Sequence, residues 1–246
     1  MSDVFTMAVE ALRADQSRLQ LLGQNAANAT TPGYRRSIAV AQPFQQSLDA
    51  AGAAGGAAGA SVGIPVVRPA LSLQQAAHTD TGRALDAAIQ GDGYFVVGDG
   101  ERSFLTRAGS FRLSAQGVLV GPGDLPVQGR SGEIRPEQGA ELGIAASGAV
   151  LSGGREIDRL RIVKPGEDFA PASSDGVLID AGEQAYAELP PDEVVLRPGF
   201  LEASNTDNLR EMLGLMETAR HFESVTRLLQ GYDEMMGKAI QKLGDV

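Results

Sequence analysis

The chain has 246 residues, 43% hydrophobic and 5% aromatic, with 31 glycines and no tryptophan; that suffices for one large domain, or for a compact domain with extended terminal elements, and favours turns and β-structure over an all-helical fold. Its formal net charge of -10 sets the surface against nucleic-acid phosphates, and no basic run seeks anionic lipid. Cysteine is absent, which removes disulfides and thiolate metal sites, and no stretch of about 20 apolar residues offers a membrane span.

The chain begins Met1-Ser2-Asp3-Val4-Phe5, its first basic residue is Arg13 and no apolar core follows, so a secretory signal peptide is not expected. An amphipathic helix is predicted over 2–28. Phe5, Leu12, Leu19 and Ala26 recur every seven residues, with Ala8, Val9 and Leu22 beside them. At 1.5 Å per residue it is about 40 Å long. Thr31-Pro32-Gly33 ends it, because proline cannot continue the hydrogen-bond ladder. Asn25 and Asn28 share one face near the helix end, where their amides are placed to satisfy the last carbonyls. Gly33 is expected to supply a positive φ or a close backbone approach. A plain helix stop that touches no neighbour accounts for these residues equally well. The stretch 36–63 reads as a linker or loop, since 49–63 is nearly all Ala, Gly and Ser.

From 64 to 200 short apolar runs alternate with Gly and Pro, the pattern of an all-β domain. Tyr94-Phe95-Val96-Val97, Gly98-Asp99-Gly100 and Ser103-Phe104-Leu105-Thr106 predict a hairpin. Phe111 and Leu113, Val118-Leu119-Val120 and Leu160-Arg161-Ile162-Val163 predict further strands. A second helix is predicted over 206–243, about 57 Å long, with Ser204 and Asn205 as N-cap candidates. Phe222, Val225, Leu229, Tyr232, Met236, Ala239 and Leu243 form an a/d seam. Leu209, Met212, Met216 and Ala219 extend that seam upstream through one phase slip. Gly214 and Gly231 weaken the pattern by about 1 kcal/mol each. Arg220 and Glu223, three apart, read either as a solvated pair or as an intersubunit contact.

These elements give a mainly β central domain whose N- and C-terminal helices pair as an antiparallel coiled coil. An isolated helix pair leaves much of each apolar stripe uncovered, which points to a polymer; an ordinary internal bundle has the same periodicity. Enzyme chemistry is not marked. His78 and His221 lack metal spacing, Gly91-Asp92-Gly93 precedes a strand rather than a helix, and Asp92 and Asp99 read as turn residues. No catalytic, cofactor or metal residue is expected. A periplasmic binding module or hydrolase is the competing class, and it requires a preformed pocket with convergent polar groups.

Three segments carry a family resemblance. They are Asn25-Ala26-Ala27-Asn28-Ala29-Thr30-Thr31-Pro32-Gly33-Tyr34-Arg35; Thr81-Gly82 through Val97, with Thr106-Arg107, Gly109, Phe111, Gly117 and Leu119-Val120; and Leu201-Glu202-Ala203-Ser204-Asn205, followed by Glu211-Met212, Arg220, Phe222-Glu223 and Asp233. In that order they resemble the signature regions of the flagellar rod and hook axial proteins. Residues 40–75 and 130–198 match weakly, and Ala26 stands where a larger aliphatic is common. The resemblance implies a structural basal-body rod subunit that polymerises through its terminal helices and transmits torque from motor to hook. It implies export through the flagellar type III apparatus without cleavage, and termini largely disordered until assembly. The length is similar to that of the proximal rod protein, with a distal rod or hook-type subunit as the alternative. Expected partners are other rod and hook-base subunits and the export apparatus, with no nucleic acid and no membrane insertion. The expected division is an axial core from 1–35 and 201–246, a linker at 36–63 and a β domain at 64–200. The residues expected at the assembly interface are Phe5, Leu12, Leu19, Asn25, Asn28, Thr31, Gly33, Tyr34, Ser204, Asn205, Met212, Met216, Arg220, Phe222, Glu223, Leu229, Tyr232 and Met236.

Overall fold

A computed structural model describes residues 2–41, 67–98, 102–137, 139–166, 173–180, 186–190 and 193–244. In chain order the elements are α1 (Ser2–Ala27), β1 (Ser37–Ala41), β2 (Val67–Leu71), β3 (His78–Asp80), β4 (Ala87–Ile89), β5 (Tyr94–Gly98), β6 (Ser103–Thr106), β7 (Arg112–Leu113), β8 (Leu119–Val120), β9 (Gln128–Gly129) and β10 (Gly132–Glu133). There follow β11 (Leu142–Ile144), β12 (Ala149–Ser152), β13 (Arg155–Arg159), β14 (Ile162–Pro165), β15 (Ser173–Ser174), β16 (Ile179–Asp180), β17 (Tyr186–Glu188), β18 (Leu196–Pro198), β19 (Phe200–Glu202) and α2 (Asn208–Gly244). The chain divides into a helical unit (1–27, 37–70, 207–246) and a β unit (28–36, 71–206).

The β unit is built on a six-stranded sheet in the order β15-β16-β6-β5-β14-β17. The expected hairpin is present: β5 and β6 pair antiparallel with Val96 opposite Leu105. Residues 99 and 100 of its expected turn lie outside the described set. Successive side chains of a strand point to opposite faces, and β5 is buried on both. Phe95 and Val97 pack with Phe111, Leu119, Val127 and Ile162, while Tyr94 and Val96 pack with Leu105, Val163 and Ile179. A strand covered on both faces has a continuous apolar run rather than an alternating one. Phe95 and Phe111 meet edge to face at 5.1 Å. The predicted strands at Leu113, Leu119-Val120 and Ile162-Val163 are β7, β8 and β14. Smaller antiparallel ladders complete the unit, among them β11-β12-β13, β18-β4 and β19-β3.

In the helical unit α1 packs against α2. Asn25 bonds Glu211, Leu22 lies over Gly214 and Asp15 bonds His221, so one residue number falls as the other rises and the helices run in opposite directions. A methyl at Gly214 would sit 3.2 Å from the Leu22 side chain, which gives that helix-weakening glycine a packing reason. The helix N-cap is corrected: α2 starts at Asn208, and Asp207 caps it by accepting the Arg210 N–H at 3.3 Å. Ser204 and Asn205 are engaged elsewhere. The upstream seam is corrected as well. Leu209 is 69% exposed, Met212 and Met216 are 53% exposed and Ala219 is exposed, whereas Glu211 and Thr218 are buried. From Val225 onward the expected seam positions Leu229, Tyr232 and Met236 are partly buried, and the side chains of Ala239 and Leu243 lie outside the described set. The segment 36–63 opens with β1, where the β-branched Ile38 and Val40 alternate along a strand paired with β2; residues 42–66 lie outside the described set.

Candidate functional site

Two places concentrate the residues the sequence singled out. The first, inside the β unit, gathers the stretches that adjoin both terminal helices. Gly33 has φ of 71°, and a methyl there would stand 2.2 Å from the Ala108 backbone nitrogen, so both expected reasons for glycine apply. Its N–H donates to the Glu202 carbonyl at 2.8 Å. Tyr34 is fully buried with its ring against Gly176, whose carbonyl accepts the Arg35 N–H at 2.7 Å. Asn28 accepts from the Thr31 hydroxyl at 3.1 Å and its carbonyl accepts the Thr31 N–H.

The hub of this region is Glu202, 1% exposed. Its carboxylate lies 3.0 Å from Arg35 Nη2 and 3.3 Å from Arg107 Nη1, and it accepts the Ala76 N–H at 3.0 Å. Both guanidiniums are themselves buried. Arg35 also donates to the Gln74 carbonyl, Arg107 donates to the Gly91 carbonyl at 2.7 Å, and Arg107 lies 4.8 Å over the Tyr94 ring. Two buried cations share one buried anion. Desolvation therefore pushes the Arg107 guanidinium below its ordinary value, Glu202 opposes this, and Arg35 adds to it. Asn205 works as a strand surrogate beside the hub. Its oxygen accepts the Arg36 N–H at 2.7 Å, while its amide donates to Ser72 and Gln74 at 3.1 and 3.0 Å. Ser204 caps locally, accepting the Thr206 N–H at 3.2 Å.

These contacts bring together Gly33, Tyr34 and Arg35 from the first resembling segment, Arg107 from the second and Glu202 and Asn205 from the third. Sequence reasoning quoted Arg35, Arg107 and Glu202 without assigning them roles. Charged residues embedded in otherwise small or apolar motifs were the available signal, since such residues are buried only when paired.

The second place is the helical unit. Asn25, expected to cap carbonyls at the end of α1, is corrected. Its oxygen accepts the Ser37 N–H at 2.9 Å, and its amide donates to the Ser37 carbonyl at 2.8 Å and to buried Glu211 at 3.2 Å. Leu12 and Leu19 are partly buried and Phe5 is half exposed. On α2, Leu209, Met212, Leu213 and Met216 line one face at helical spacing, each more than half exposed. That face is turned away from buried Glu211 and Thr218 and from Gly214, where α1 lies. Arg220, Phe222 and Glu223 are exposed, and Glu223 lies 3.9 Å from Arg227 rather than pairing with Arg220.

Among the described residues no group of three or more His, Asp or Glu is arranged to hold a metal, and no helix is long and apolar enough to cross a membrane. His78 sits on β3 beside Gln75, and His221 bonds Asp15 at 2.6 Å.

Residues 197–242 match the C-terminal region of the flagellar basal body rod FlgEFG proteins, and 88–152 match the D1 domain of flagellar hook protein FlgE/F/G. The flagellar basal-body rod protein FlgF of Rhizobium meliloti is 32% identical over 97% of this chain and 96% of its own. The FlgF rod protein of Caulobacter vibrioides is 29% identical over 93% and 92%, and the rod protein FlgG of Bacillus subtilis 28% over 94% and 96%. With this identity running through both terminal helices and the β unit between them, the chain belongs to the flagellar basal-body rod proteins, a non-enzymatic family of structural subunits of the bacterial flagellum.

Proposed function

We propose that this chain is a proximal rod subunit of the basal body, which polymerises through its terminal helices with other rod and hook-base subunits and carries torque from motor to hook. In this reading α1 and α2 form an antiparallel coiled coil, with 1–35 and 201–246 as the axial core, 36–63 as a linker and 64–200 as the β domain. The chain is exported through the flagellar type III apparatus without cleavage, its termini order largely on assembly, and it sits in the periplasmic stretch of the basal body. The interface residues are those named from the sequence, from Phe5 to Met236, except Asn25, Gly33 and Tyr34, which are buried within the chain.

One observation carries the reading: the exposed row Leu209, Met212, Leu213 and Met216 on the outer face of α2. A helix pair with a second apolar face has not finished burying its surface. Met216→Glu tests this. Because Met216 is exposed, monomer stability is expected to stay within about 0.5 kcal/mol, secretion to continue, and rods and motility to be lost. Normal rods in that variant sink the proposal. A distal rod or hook-type subunit is the second reading. Rescue of a strain lacking only its proximal or only its distal rod subunit separates the two.

A further inference from the structure

The outer row of α2 alternates two residue types: Leu209, Met212, Leu213 and Met216. Met212 and Met216 lie about one turn apart on the same face, and each is 53% exposed. The chain has no cysteine, so methionine thioethers are its only sulfur. A thioether packs as an apolar group while reduced and becomes polar once it takes an oxygen. The α1-facing side of α2 at this level carries no sulfur. Glu211 and Gly214 meet α1 there, through the Asn25 amide and the close approach of Leu22, and Thr218 bonds back to the Gly214 carbonyl. Oxygen added to the two sulfurs therefore alters the outer face and leaves the contacts with α1 in place.

We propose that Met212 and Met216 form a reversible oxidation site that keeps peroxide-modified subunits out of the polymer. This rests on reading the chain as an axial subunit that polymerises through the outer row, and adds a control on which subunits enter. Each sulfur donates a lone pair to one oxygen of hydrogen peroxide. The O–O bond breaks, the sulfur is oxidised to the sulfoxide and the peroxide is reduced to water. Methionine sulfoxide reductases reverse the step: a dithiol is oxidised to a disulfide and the sulfoxide oxygen leaves as water. Each sulfoxide puts a strong hydrogen-bond acceptor into a row that has to be dried to pack, and burying it unpaired is unfavourable. A free subunit presents both sulfurs and an assembled one covers them, so the control acts before incorporation.

The full-length protein is treated with dilute hydrogen peroxide and its peptides are weighed. Met212 and Met216 are expected to gain one oxygen each ahead of partly buried Met236, with the helical circular dichroism signal unchanged, and to lose it to the reductases for both sulfoxide epimers. In cells lacking those reductases and grown with sublethal peroxide, the same peptides are compared between isolated rods and unassembled subunits. The sulfoxide fraction at Met212 and Met216 is expected to be about tenfold lower in rods, or less. Oxidation of Met236 at the same rate as the pair, loss of the helical signal, no sulfoxide in the unassembled subunits, or equal fractions in both pools overturns the site. When Met216→Glu still blocks rods, the axial-subunit reading stands without it; when Met216→Glu builds normal rods, both fall.

Discussion

Replacing Glu202 by Gln keeps the shape of the β-unit hub and removes the anion that Arg35 and Arg107 share. The amide still fills the space below the Ala76 N–H, but Arg35 and Arg107 remain buried with no counter-charge. Two routes give the magnitude. Breaking a buried ion pair from one side costs about 3–5 kcal/mol. Losing two hydrogen-bonded or ion-paired charged contacts at about 1.5–3 kcal/mol each gives about 3–6. Against a typical domain stability of about 5–15 kcal/mol, this is a large share. Equilibrium urea unfolding of the full chain measures it. Tyrosine emission reports mainly the β unit, since tryptophan is absent and three of the four tyrosines, Tyr34, Tyr94 and Tyr186, belong to it. With a slope of about 2 kcal/mol per molar, the midpoint falls by about 2 M. The double variant Glu202→Gln with Arg107→Met should lose less than the two single losses added, because the Glu202–Arg107 contact is removed in each single variant and is counted twice in the sum. A loss below about 1 kcal/mol for Glu202→Gln, or additive losses, refutes the hub.

Gly33→Ala imposes both a left-handed φ on a residue with a side chain and a clash with the Ala108 backbone. A destabilisation above about 2 kcal/mol is expected, read as faster amide exchange across 33–36 and 107–109; unchanged exchange contradicts it. Asn25→Ala removes the two-way pairing with Ser37 and the amide on buried Glu211. At about 1 kcal/mol per lost bond, more for the charged partner, the loss is about 3 kcal/mol, seen as early melting of the helical circular dichroism signal. A melting curve identical to wild type excludes that role.

How much was legible depended on which force decided each element. Heptad spacing in 5–26 and 222–236, proline at 32 and the β5–β6 pattern fixed helices, stop and hairpin, because apolar burial and backbone sterics act there through local sequence. The first half of α2 misled the periodicity for a physical reason. Its α1-facing positions are Glu211, Gly214 and Thr218, whose burial depends on a hydrogen bond to Asn25, a close helix approach and a bond from Thr218 to the Gly214 carbonyl. The apolar row therefore marks the outer face, and reads as core until the structure shows which face α1 covers. Ser204 and Asn205 looked like caps because their residue types cap helices; Asn205 instead joins Arg36 to Ser72 and Gln74, partners more than a hundred residues away in sequence. The pairing inside the Glu202 hub was hidden for the same reason, as its members are scattered over four segments and only the charges themselves stood out.

The Gly33–Glu202 bond also bears on the order of folding. Asn25 and Glu211 are separated by 186 residues. Once Gly33 and Glu202 are tied within the β unit, only eight residues on one side and nine on the other stay open between them. Shortening the loop from 186 to 17 residues lowers its closure entropy by about 2 kcal/mol. The two ends of one chain are then at a higher effective concentration to each other than to any neighbour's ends. Each subunit thus closes its own helix pair, and helix-swapped pairing between copies is disfavoured while the polymer grows.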